Sequence, residues 1–137
     1  MDAMARKIST DDGRAALAAV AAAREASQGA AGDAAHEAVA PLPRTETATA
    51  VRYLLQLLAE KAPGNTVEVR VPPFGAVQVV EGPRHTRGTP PNVVEMDATT
   101  WIDLATGAEV WSDAVAAGRI AASGTRADLA ALLPLRP

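Results

Sequence analysis

The sequence predicts an α+β domain, a mixed sheet with helices packed on it. Three observations carry this. Val67, Val69 and Val71 alternate with Glu68 and Arg70, the period-two pattern of a half-buried strand. Val51, Leu54, Leu55 and Leu58 recur at i, i+3, i+4 and i+7, the stripe of an amphipathic helix. From Arg44 onward, helical and β-prone segments follow one another as α-β-β-β-α-α-β-α.

In chain order, Ser9 to Glu25 is expected to be helical. Ser9-Thr10-Asp11-Asp12 offers an N-cap, and its acids face the positive end of the helix dipole. Sixteen of the first 40 residues are alanine, which favours helix but buries little apolar area. This helix is therefore expected to dock weakly. Ser27 to Pro43, rich in Gly, Ala and Pro, reads as a linker. Residues 1–43 are thus set apart from a domain at 44–137, and are expected to be dispensable for folding. Arg44 to Lys61 is the second helix, with Thr45 or Thr47 as cap and Arg52, Gln56 and Glu60 largely opposite its apolar stripe. It is the natural cover for one face of the sheet. Pro63-Gly64-Asn65 turns the chain into the first strand.

Pro72-Pro73 ends that strand, because proline donates no ladder hydrogen bond. A second apolar run, Phe74 to Val80, leads to a loop rich in Gly, Pro and Arg that ends at Asn92. A strand pair thus delivers a basic loop to its tip. Val93 to Met96 reads as a third strand. Asp97 caps a helix carrying Trp101, Ile102 and Leu104, with Gly107 at its end. A short helix is expected over about Ala108–Ala117, a fourth strand around Ile120, and a closing helix from Arg126 to Leu133 with Leu129, Leu132 and Leu133. If the strands flanking the helices are parallel, their connection is expected to be right-handed.

Composition narrows the function. The length of 137 residues argues for one domain, and such a chain buries about two-thirds of its unfolded surface. No cysteine is present, which excludes disulfides, thiolate metal sites and cysteine nucleophiles. The net charge of −3 lacks the basic footprint of a nucleic-acid partner. No apolar run approaches the ~18 residues of a membrane span, and the N-terminal residues do not read as a signal peptide. A cytoplasmic protein is expected.

Candidate chemistry is sparse. Gly82 to Gly88 has the wrong spacing for a phosphate loop, Thr89 stands where Lys-Ser/Thr is needed, and Pro90-Pro91 follow. Arg84, His85 and Arg87 remain as candidates to meet a carboxylate, a phosphate or an acidic partner surface, since arginine offers a planar fork of donors. The alternative is solvated charge, or pairing with Glu81 and Glu95. His36 and His85 are the only histidines and show no metal-ligand spacing. Glu95 and Asp97 read as strand edge and helix cap. Ser123 lies outside any nucleophile elbow. No catalytic set, metal site or cofactor is expected. Leu54, Leu55, Leu58, Val77, Val79, Trp101, Val115, Ile120, Leu129 and Leu132 suit either a filled core or the lining of an apolar cavity between sheet and helices. Which of the alternating positions from Ala76 to Val80 face inward depends on register.

The residues VEVRVPPFGAVQVVEGPRHTRGTPPNVVE, then TWIDLATG, then DAVAAGRIAASGTRADLAALLPL, resemble the actinobacterial branch of the sterol carrier protein family. The likeness runs from about Thr45 to Leu135. It implies an α/β sandwich, a mixed sheet of about four to five strands covered by helices with an apolar tunnel, and members that bind sterols, fatty acids, acyl-CoA or phospholipids. The expected function is non-catalytic binding of a lipid or other hydrophobic small molecule. The alternatives are a protein-interaction or regulatory module using loop 82–92, or an accessory domain of an enzyme system. The last residue, Pro137, completes no peroxisomal tripeptide, which fits a bacterial-like cytoplasmic setting.

Overall fold

The computed structural model describes residues 7–29, 43–82 and 92–137. Their elements are α1 (Thr10–Gly29), α2 (Arg44–Lys61), β1 (Val67–Val71), β2 (Gly75–Val79), β3 (Asn92–Glu95), α3 (Ala98–Thr106), α4 (Trp111–Ala116) and β4 (Ala121–Ser123), closed by a 3₁₀ turn at Ala130–Leu132. The four strands form one mixed sheet in the order β2-β1-β3-β4. β1 is antiparallel to β2 and parallel to β3, and β3 is antiparallel to β4. The expected α+β fold is present. Because β3 and β4 run antiparallel, the return through α3 and α4 is not a parallel crossover, and the handedness rule does not apply to it.

Register decides which residues face inward. Val67 pairs with Val79 and Val69 with Val77, while Val69 also stands opposite Val94. Directly opposed residues share a face, so these valines form one apolar surface. Val67, Val69, Val71, Val79 and Val94 are completely enclosed. Ala76 and Gln78 point the other way, where Gln78 meets Glu68 and Glu68 pairs with Arg70. α2 covers the apolar face with Val51, Leu54, Leu55 and Leu58, all buried. α3 packs on α2, and the Trp101 indole N–H donates to the Val51 carbonyl at 3.2 Å.

Several local expectations change. α1 docks firmly. Gly13, Ala16 and Val20 are buried at i, i+3 and i+7, and a Cβ on Gly13 would overlap the Tyr53 ring. Small residues let two helices approach closely, so the alanine content that argued for weak docking here permits it. Arg24 adds a two-pronged contact to Asp103 of α3, at 2.6 and 3.2 Å. The Ser9 cap is confirmed, since its hydroxyl oxygen accepts from the Asp12 N–H at 3.1 Å.

At α2 the cap position is Pro43, not Thr45 or Thr47. Thr47 instead donates its hydroxyl to the Pro43 carbonyl at 2.7 Å. Asp97 caps α3 as expected, accepting from Thr100 N–H at 2.8 Å, and Gly107 ends it in the left-handed region. The closing helix does not form. Its N-terminal end is committed elsewhere: the Arg126 N–H donates to the Asn92 amide oxygen, and the Asp128 carboxylate accepts from the Ala130 N–H. Leu133, ahead of Pro134, is extended, as residues before proline prefer. Only the turn at Ala130–Leu132 remains, yet Leu129 and Leu135 are still buried.

Candidate functional site

Among the described residues, a cleft of about 720 Å³ opens between α2, β2 and the segment leading into α1. Its lining is Lys7 and Ile8 ahead of α1, Thr49, Arg52, Leu55 and Gln56 on α2, and Phe74 to Val77 at the start of β2. The local fold explains each side. Pro72 and Pro73 stop β1, and Phe74 N–H closes the turn onto the Val71 carbonyl at 2.9 Å. This lifts Phe74 beside α2. Gly75 then brings β2 close, its Cα facing Leu55 and Arg52. Among the described residues β2 is the edge strand of the sheet, and no further strand covers that flank.

The chemistry is an apolar floor with a cationic rim. Ile8, Leu55, Phe74 and Val77 supply the apolar side chains, Lys7 and Arg52 are basic, and no acid is among the described lining residues. Arg52 donates through Nε to the Phe74 carbonyl at 2.8 Å, which fixes the plane of its guanidinium. The Arg44 guanidinium lies 5.7 Å from the centre of the Phe74 ring, within cation–π range. Lys7 approaches Glu60 at 3.2 Å, but both side chains are well exposed, so the pair adds little stability. Gln56 clasps Ile8 from both sides: its amide oxygen accepts from the Ile8 N–H at 2.8 Å, and its amide nitrogen donates to the Ile8 carbonyl at 2.9 Å.

The expected cavity residues divide into three groups. Leu55 and Val77 line the cleft. Leu54, Leu58, Val79, Trp101 and Leu129 are fully enclosed in the core, with Ile120 and Leu132 packed against it. Val115 is 47% exposed on α4, away from that core. Arg84, His85, Arg87 and His36 lie outside the described residues. The ends of the basic loop are nevertheless tied down. Asn92 donates to the Thr66 carbonyl at 3.0 Å and accepts from Arg126, whose guanidinium reaches the Glu81 carbonyl at 3.4 Å. Sequence reasoning missed Lys7, Ile8, Thr49, Arg52, Gln56, Phe74, Gly75 and Ala76. The available signal was at the edge of the α2 stripe, where Arg52 and Gln56 adjoin Leu55, and at Ile8, an apolar residue directly before a capping serine.

A family model described as a bacterial SCP ortholog matches residues 43–135. That is more than half of the chain. The protein belongs to this sterol carrier protein-like family. The match spans α2 through the C-terminal 3₁₀ turn and includes the whole sheet. α1 and the segment Lys7–Ile8 lie ahead of it, so one side of the cleft comes from outside the family's matched region. No curated protein matches the chain.

Proposed function

We propose that the protein binds a lipid or other hydrophobic small molecule in the cleft between α2 and β2, as a carrier and not as a catalyst. The observation that carries this is the pairing of an apolar floor with the basic rim residues Lys7 and Arg52 in a protein of net charge −3. Membership of a sterol carrier protein-like family supports the same ligand class.

An amphiphile with an acidic group fits the cleft best. Its apolar part lies along Leu55, Phe74, Val77 and Ile8, and its acidic end meets the Arg52 guanidinium. The two contributions differ in size. Removing apolar surface from water yields roughly 25 cal/mol per Å², while an exposed ion pair is worth about 0–1 kcal/mol. Apolar burial therefore sets affinity, and Arg52 sets orientation. The test compares a fluorescent fatty acid with its neutral alcohol. Arg52→Ala is expected to weaken the acid by less than about tenfold and leave the alcohol unchanged. Equal losses for both would remove the head-group role of Arg52.

A second reading, an interaction module built on loop 82–92, draws support from the fixed loop ends at Glu81 and Asn92. Arg84 and Arg87 would then meet an acidic protein surface. A pull-down with Arg84→Ala and Arg87→Ala together tests it: an unchanged set of captured partners counts against the loop.

A further inference from the structure

We propose that Ile8, held in place by Gln56, sets the width of the cleft and thereby the shape of the ligand it admits. The inference rests on the hydrophobic-ligand reading above and adds the residue that determines specificity.

Two sides of the cleft are built from regular elements, α2 and β2. The third is the short segment Lys7–Ile8, which has no regular secondary structure. Such a segment makes a defined wall only if its backbone is fixed. Gln56 fixes it through one carboxamide that accepts from the Ile8 N–H and donates to the Ile8 carbonyl. Both backbone polar groups of a single residue are thus held by a single side chain, which constrains that residue in position and in rotation. The neighbouring Lys7–Glu60 pair is too exposed to do this. Behind Ile8, the Ser9 cap starts α1, and α1 is anchored by Gly13 on Tyr53, by buried Val20 and by Arg24 on Asp103. The Ile8 side chain is half-buried against the core and lines the cleft. Among the described residues it is the one large apolar side chain that this third side contributes. Because the segment precedes the family's matched region, the width set by Ile8 belongs to this chain's own N-terminal part.

The test uses two probes of different width, cis-parinaric acid, which is linear, and dehydroergosterol, which is a broad ring system. Apolar pockets discriminate a methylene by roughly 10–200-fold. Ile8→Ala is expected to shift the affinity ratio toward dehydroergosterol by about tenfold, and Ile8→Trp to shift it the other way. Gln56→Ala is expected to follow Ile8→Ala, because the wall is released. Gln56→Glu keeps the acceptor for the Ile8 N–H but loses the donor to its carbonyl, so its ratio is expected to fall between Gln56→Ala and wild type. A merely structural role for Gln56 would change both affinities together and leave the ratio fixed. Circular dichroism and thermal midpoints confirm that each variant is folded. If wild type binds both probes and both Ile8 variants keep its ratio, or binds one probe and both variants bind that same probe alone with unchanged affinity, the inference is overturned and the hydrophobic-ligand reading stands. If wild type binds neither probe, both fall.

Discussion

A Cβ on Gly13 would overlap the ring carbons of Tyr53, so this glycine measures how tightly α1 sits on α2. On a solvent-facing helix, Gly→Ala stabilises by roughly 0.5–1 kcal/mol. At a close helix contact the added methyl must be accommodated, and overpacking costs about 1–3 kcal/mol. Gly13→Ala is therefore expected to destabilise the protein in urea unfolding; a gain in stability would mean that α1 does not dock as described. Asn92 offers a second residue-scale test. Its buried amide satisfies the Thr66 carbonyl and the Arg126 N–H at once. Asn92→Ala leaves those groups without their partner, which costs about 1–3 kcal/mol for a buried polar group. A thermal-melt midpoint equal to that of wild type would contradict this bridging role.

At the scale of elements, α1 lies outside the family's matched region yet is part of the core. Removal of residues 1–29 uncovers Tyr53 and deletes buried Val20, a side chain whose burial alone is worth roughly 1.5–3 kcal/mol. The truncated chain is expected to unfold cooperatively but at a lower denaturant midpoint. An unchanged midpoint would restore the sequence-based expectation that the segment is dispensable. The ion pair that ties α1 to α3 resists alkali. Arg24 has its pKa raised, first by the hydrogen bond to Asp103, then by the charge of Asp103, against an opposing effect of burial. A raised pKa contributes stability below the unfolded value and loses it only as pH climbs through the folded value. Both lie above the range in which proteins are ordinarily handled. The stability difference between wild type and Arg24→Ala should thus stay constant from neutral to roughly pH 10. α1 and the closing helix also show where pattern reading stops. The small area of alanine argues for weak docking, whereas close approach at Gly13 depends on what stands opposite, which no single segment reveals. The leucines near the C-terminus carried a helical period, but Asp128 and Arg126 committed the backbone to other partners. Strands were more legible, since valine alternation and the proline pair leave few other solutions.

For the molecule as a whole, periodicity identified the residues that are apolar and inward-facing but not whether they enclose space. Leu54, Leu58, Val79 and Trp101 filled the core, while Leu55 and Val77, two positions of the same stripes, reached the edge and bordered the cleft. That difference arises from β2 being an edge strand and from Gly75 and Phe74 shaping its start, facts of topology that one chain segment does not display. The central claim is that this cleft holds a hydrophobic ligand. The most direct measurement titrates a fluorescent fatty acid into wild type, Val77→Trp and, as a control on the distant α4 surface, Val115→Trp. Wild type and Val115→Trp are expected to bind in the micromolar range, worth about 8 kcal/mol, and Val77→Trp, which fills the cleft, is expected to lose most of that affinity. No binding to wild type, or equal binding by all three proteins, would contradict the claim.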